Sequence, residues 1–153
     1  MIISFQEKST WISLLATSAV AAWFFSRSIP LVFAADLPNQ EQLGAFTRLS
    51  VAAVVMLVLL QIVAHILLAI VSTAEDADER DALINMRSDQ VGGIVLGVGV
   101  FSTIAHILAA GFVEQESIVA LGSPFGILNM LVASLVVAEL VACPVRVWMY
   151  RRG

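Results

Sequence analysis

Residues 51–71 read VAAVVMLVLLQIVAHILLAIV. Only Gln61 and His65 interrupt the apolar run, and no formal charge falls inside it. Crossing roughly 30 Å of hydrocarbon takes about 20 mostly apolar residues in a helix. The run has that length. It is continuous where a barrel strand would alternate, and about twice the length of one. Ser50–Val71 therefore reads as a membrane-spanning helix, and the rest of the chain is read outward from it.

Three further segments meet the same criterion. The first, Trp11–Phe33, is interrupted by Ser26-Arg27-Ser28 and Pro30. Its beginning resembles a secretory signal, with Lys8 ahead of the apolar run and Ala19-Val20-Ala21 as a cleavage-like site. The run continues through Trp23-Phe24-Phe25, which favours a retained helix. Val91–Val113 follows the 72–90 connector, and Pro124–Cys143 closes the set. Ser123-Pro124 has the form of a helix start, Ser as N-cap and Pro in the first helical position. Pro144 reads as a stop or a kink.

Composition agrees. Of 153 residues, 59% are apolar and 13% charged, and mean hydropathy is +0.94. Soluble domains carry about 25% charge, so most of this surface does not face water. A net charge of −4 argues against a nucleic-acid partner. A single cysteine, Cys143, excludes a disulfide framework and a multi-cysteine zinc site. The fold class is an all-α polytopic membrane protein, four transmembrane helices in one bundle. With four spans, the N-terminus, the 72–90 connector and the C-terminus share a side. That side holds Lys8, Arg80, Arg87, Arg146, Arg151 and Arg152; the other holds Arg27 and Arg48. The excess of Lys and Arg places both termini in the cytoplasm. Trp11, Trp148 and Tyr150 then lie near the interface, and the arginines beside them favour anionic headgroups.

The 72–90 connector carries six acids and two bases, which equals the net charge of the whole chain. Its composition favours helix around 77–87. Asp76 and Glu79 have capping-box spacing, and Asp76–Arg80 is an i,i+4 pair. Leu83, Ile84 and Met86 suit the headgroup region or another helix. A docking or metal-sensing role competes with a plain solvated connector, and an EF-hand is excluded by the residue order. The stretch Asp78-Glu79-Arg80-Asp81-Ala82-Leu83-Ile84-Asn85-Met86-Arg87 resembles a D-E-R-D-x-L-I-x-x-R signature. Small uncharacterised bacterial four-helix membrane proteins carry it between spans two and three. The resemblance implies a membrane-side signalling role, since genes of similar proteins often neighbour a small helix-turn-helix regulator.

Ionisable groups inside spans are costly and are functional candidates. Here they are Arg27, His65, His106 and Glu139, with Gln61 and Asn129 as neutral company. At 1.5 Å per residue, His65 and His106 differ in depth by about 13 Å, too far to clamp one haem iron. The same ruler predicts two polar layers: His65 with Glu139 on the cytoplasmic side, and Arg27, His106 and Asn129 outside. A carboxylate beside a histidine suits a proton-coupled site; the plainer reading is a packing hydrogen bond, with Arg27 snorkelling outward. Gly93 and Gly97 form a GxxxG pattern, suited to packing within the chain or to a homo-oligomer. Gly122 and Gly126 look like turn residues. Ala64-His65-Ile66-Leu67 and Ala105-His106-Ile107-Leu108 suggest an inverted repeat, which the flanking sequence does not extend.

No catalytic constellation is present in the sequence, and no cofactor or metal is expected. The reading is a non-enzymatic membrane protein that associates with a cytoplasmic or membrane protein partner through 72–90. The alternatives are a small proton-coupled transporter using His65 and Glu139, and a haem protein.

Overall fold

The computed structural model describes residues 5–33, 40–71, 79–112 and 121–152. They form four long helices: α1 Phe5–Phe33, α2 Gln40–Val71, α3 Glu79–Ala110 and α4 Pro124–Arg152. All four are long and apolar enough to cross a membrane, as a multi-pass protein requires. Each has 29 or 32 residues, about 43–48 Å at 1.5 Å per residue. That exceeds the hydrocarbon thickness, so the helices carry polar turns beyond their apolar stretches.

The element boundaries follow local chemistry, with two departures from the sequence reading. Ser123 caps α4 as expected: its Oγ accepts from the Gly126 amide at 3.1 Å, and its carbonyl accepts from Ile127 at 2.9 Å. Pro144 does not stop the helix. α4 continues eight residues past it to Arg152. Pro144 itself is exposed, while Cys143 and Val147 beside it are buried. Burial of Cys143 and Val147 keeps the helix continuous past the proline, as packing against neighbouring helices allows. Pro30 likewise lies inside α1, which runs on to Phe33. Finally, residues 79–90 are not a connector but the opening turns of α3. The helix expected around 77–87 is therefore present from Glu79 and merges into the third span. Asp78 and the pairings of Asp76 fall outside the described residues.

The helices pack in the spatial order α2–α1–α4–α3. The α3–α4 contact is the most extensive, then α1–α4 and α1–α2, and every other pair is marginal. The α3–α4 contact is built on small residues. A Cβ at Gly99 would lie 2.6 Å from Ser134 Cβ, and one at Gly92 would lie 3.1 Å from Ala142 Cβ. Close backbone approach of this kind is what small residues supply in lipid. Gly93 and Gly97 do not supply it, because nothing lies within 4 Å of a Cβ built at either. Among the described residues, the GxxxG pattern thus takes no part in packing. Gly126 is helical, not a turn residue; a Cβ there would run into the Leu121 backbone.

The aromatic core sits where α1, α2 and α4 meet, far from the first and last residues. Phe46 stacks on Phe125 at 4.9 Å and meets Phe24 edge-on at 6.2 Å, with Val32 alongside.

Candidate functional site

The opposite end, here called proximal, gathers the start of α1, the end of α2, the start of α3 and the end of α4. Two ion pairs hold it. Arg151 Nε donates to Glu7 Oε1 at 2.8 Å. Arg146 Nη2 donates to Asp89 Oδ1 at 2.6 Å, and its Nε to Ser88 Oγ at 3.0 Å. Ser88 in turn donates to the Asn85 carbonyl at 2.8 Å. Glu7 is buried, while Arg151 is half exposed. The first and last helices therefore begin and end side by side, as the four-span count requires.

Those contacts also set the helix registers. α1 and α4 are antiparallel, with Glu7 level with Arg151 and Ser28 level with Asn129. Ser28 Oγ donates to Asn129 Oδ1 at 2.6 Å, and Asn129 Nδ2 donates to the Phe125 carbonyl at 2.9 Å. Both side chains are buried, so this is a satisfied polar contact in an apolar setting. Between α1 and α2, Ser13 Oγ donates to Gln61 Oε1 at 3.2 Å. His65 Nδ1 lies 2.8 Å from the Gln61 carbonyl and Nε2 lies 3.0 Å from Ser9 Oγ. A carbonyl only accepts, so in the neutral ring Nδ1 carries the proton and Nε2 accepts from Ser9.

The expected His65–Glu139 layer is not formed. His65 is level with Ser9, two residues into α1 from Glu7 and so about 3 Å from the Glu7–Arg151 level. Glu139 lies twelve residues before Arg151, about 18 Å away along the axis. The two are separated by about 15 Å in depth, on helices that share at most a marginal contact. The ruler had started at Cys143, whereas α4 runs nine residues further. Glu139 instead accepts from Cys143 Sγ at 3.2 Å, one turn along its own helix.

The outer layer is partly assembled. Asn129 finds Ser28. Arg27 is exposed and folds back on its own helix, its guanidinium 4.7 Å from the Trp23 ring centroid and bonded to the Trp23 carbonyl at 3.4 Å. The guanidinium therefore reaches back toward the middle of α1 and not outward to the nearer helix end, so the expected outward snorkelling is not seen. His106 is half buried near the far end of α3. His65 and His106 occupy helices at opposite flanks of the bundle and opposite ends of it. Among the described residues no three or more His, Cys, Asp or Glu side chains converge to hold a metal ion.

The remaining feature of the proximal end is the opening of α3. Ile84 is buried, while Leu83 is 51% and Met86 60% exposed. Glu79, Arg80 and Arg87 are exposed, and Asp81 is half buried. Between these turns and the end of α4 lies a cleft of about 300 Å³, lined by Arg80, Leu83, Ile84, Arg87, Trp148, Met149 and Arg152. Glu7, Ser9 and Ser13 are residues of this site that carry no motif in the sequence. Their signal was present: Ser9 and Ser13 are four apart on α1, and Gln61 and His65 four apart on α2, so each pair lines one helix face. Comparison with protein-family models, with curated proteins and with solved structures gave no match.

Proposed function

We propose that the chain is a non-enzymatic, multi-pass protein of the bacterial inner membrane, with both termini cytoplasmic, acting by association through the opening turns of α3. Six of its eight bases lie at the proximal end, which supports the cytoplasmic assignment of that end. The reading rests on one observation. Charged residues and two exposed large apolar side chains, Leu83 and Met86, share a helical segment braced on α4 by Asp89–Arg146. A braced amphipathic helix is a ready surface for a partner helix or groove. The D-E-R-D-x-L-I-x-x-R resemblance agrees with it. The proton-coupled and haem alternatives draw no support from the separated His65, Glu139 and His106.

A photo-reactive residue at Met86, in cells, tests the reading. A cross-linked partner is expected, and its yield should fall at least tenfold when Glu79→Gln and Asp81→Asn are introduced together. Capture of this chain alone, or unchanged yield in the double variant, would overturn it.

A further inference from the structure

We propose that the proximal cleft between α3 and α4 binds the phosphate-bearing headgroup of an anionic phospholipid. Three arginines, Arg80, Arg87 and Arg152, line it. The two other arginines of α4 are already engaged, Arg146 by Asp89 and Arg151 by Glu7. Among the described residues no carboxylate lines the cleft. Three like charges sharing one cleft repel one another, and an anion among them relieves that repulsion. Guanidinium forks match phosphate oxygens in geometry. Arg152 is held over the Trp148 ring at 4.3 Å from its centroid, so one of the three is positioned in advance.

The apolar lining separates a lipid from a free ion. Leu83, Ile84, Trp148 and Met149 make up more than half of the named walls. A volume of about 300 Å³ is at the small end for ligand clefts, suited to a headgroup and not to a whole lipid. The acyl chains have a path. At 3.6 residues per turn, Ile94 and Phe101 lie on the same face of α3 as Leu83. Both are exposed, Phe101 by 72%. Beyond the exposed Gln90, which shares that face, they form an apolar surface leading toward the membrane centre. Basic pockets between spanning helices at the cytoplasmic surface favour anionic headgroups. The inference shares with the proposed function the bilayer placement of the helices and the opening turns of α3, Leu83 included. Its assay contains no protein partner, so it can fail while the docking reading stands.

The experiment uses the purified full chain in a non-ionic detergent, with binding followed by native mass spectrometry. Dioctanoyl phosphatidylglycerol, the matching phosphatidylcholine and inorganic phosphate are titrated in parallel. Phosphatidylglycerol is expected to bind at least tenfold tighter than phosphatidylcholine. Arg87→Gln with Arg152→Gln should weaken it at least tenfold. Arg27→Gln with Arg48→Gln removes the same charge at the other end and should leave it unchanged. Arg152→Gln alone, at an exposed helix end, should weaken binding without touching the fold. Equal affinity for the two lipids would overturn the proposal. So would equal loss in the Arg27/Arg48 variant, or displacement of phosphatidylglycerol by equimolar inorganic phosphate.

Discussion

Replacing Gly99 by Ala tests the α3–α4 contact at its tightest point. The added Cβ would sit 2.6 Å from Ser134 Cβ and 3.2 Å from Ser134 Cα. Carbon atoms pack best at 3.5–4.0 Å, so the shortfall is about 1 Å. Rotating Ser134 moves only its hydroxyl, which is bonded to its own helix at Met130. The Cβ is fixed to the backbone, so the helices themselves must part. A gap of that size forfeits about a quarter to a half of each dispersion contact it opens. Overpacking typically costs about 1–3 kcal/mol, and loss of a helical glycine returns at most about 1 kcal/mol. A net destabilisation of about 1–2 kcal/mol is expected. Unfolding of the purified protein in mixed micelles, titrated with a denaturing detergent and followed by helicity, reads it directly. Gly97→Ala is the matched control, since its Cβ meets open space, and it should be neutral or stabilising. Ser134→Gly should rescue Gly99→Ala in a double-mutant cycle. Wild-type stability of Gly99→Ala, or equal damage from Gly97→Ala, would refute the packing described for α3 and α4.

Three other expectations use the same unfolding assay or a chemical probe. Ser9→Ala and His65→Ala should each cost about 1 kcal/mol and be strongly non-additive, since they share one bond; His65→Ala and Glu139→Gln should add, and coupling between them would restore the discarded polar layer. Asn129→Leu should lose about 1 kcal/mol together with its coupling to Ser28; an uncoupled cycle would show that the buried contact is not made. Cys143, fully buried at 0% exposure, should resist alkylation by a membrane-permeant maleimide until the protein is unfolded; rapid labelling of native protein would mean that α4 is not enclosed by α1 and α3.

The number of helices was legible from residues 51–71 and their three counterparts, because hydrocarbon thickness fixes how long an apolar run must be. The Ser123 cap was legible because capping is a local bond. What failed was whatever depended on neighbours. Pro144 carries a local stop signal, yet packing of Cys143 and Val147 overrides it. Misplacing the end of α4 then displaced every depth measured from it, and His65 was matched with Glu139 instead of Ser9. The glycines teach the same lesson. Gly93–Gly97 has the recognised spacing, but which face of α3 meets α4 is a tertiary fact, and the face that does so carries Gly92 and Gly99. The paired serines of α1 were readable in principle, since their spacing matches that of Gln61 and His65.

The spatial order α2–α1–α4–α3 has a consequence for biogenesis. α4 follows the other three helices in the chain, yet it is the main neighbour of α3 and packs on α1 about as extensively as α2 does. A nascent chain that has delivered three helices to the bilayer holds only the α1–α2 hairpin, tied by Ser9, Ser13, Gln61 and His65. Its third helix then stands in lipid with Gly92, Gly99 and Ser88 uncovered. Assembly of these four helices must wait for the 29-residue α4, whose Arg146 and Arg151 close Asp89 and Glu7 into their ion pairs. Until α4 arrives, the face of α3 that carries Gly92 and Gly99 has no helix to pack against, so a single late segment decides whether the first three helices become one bundle.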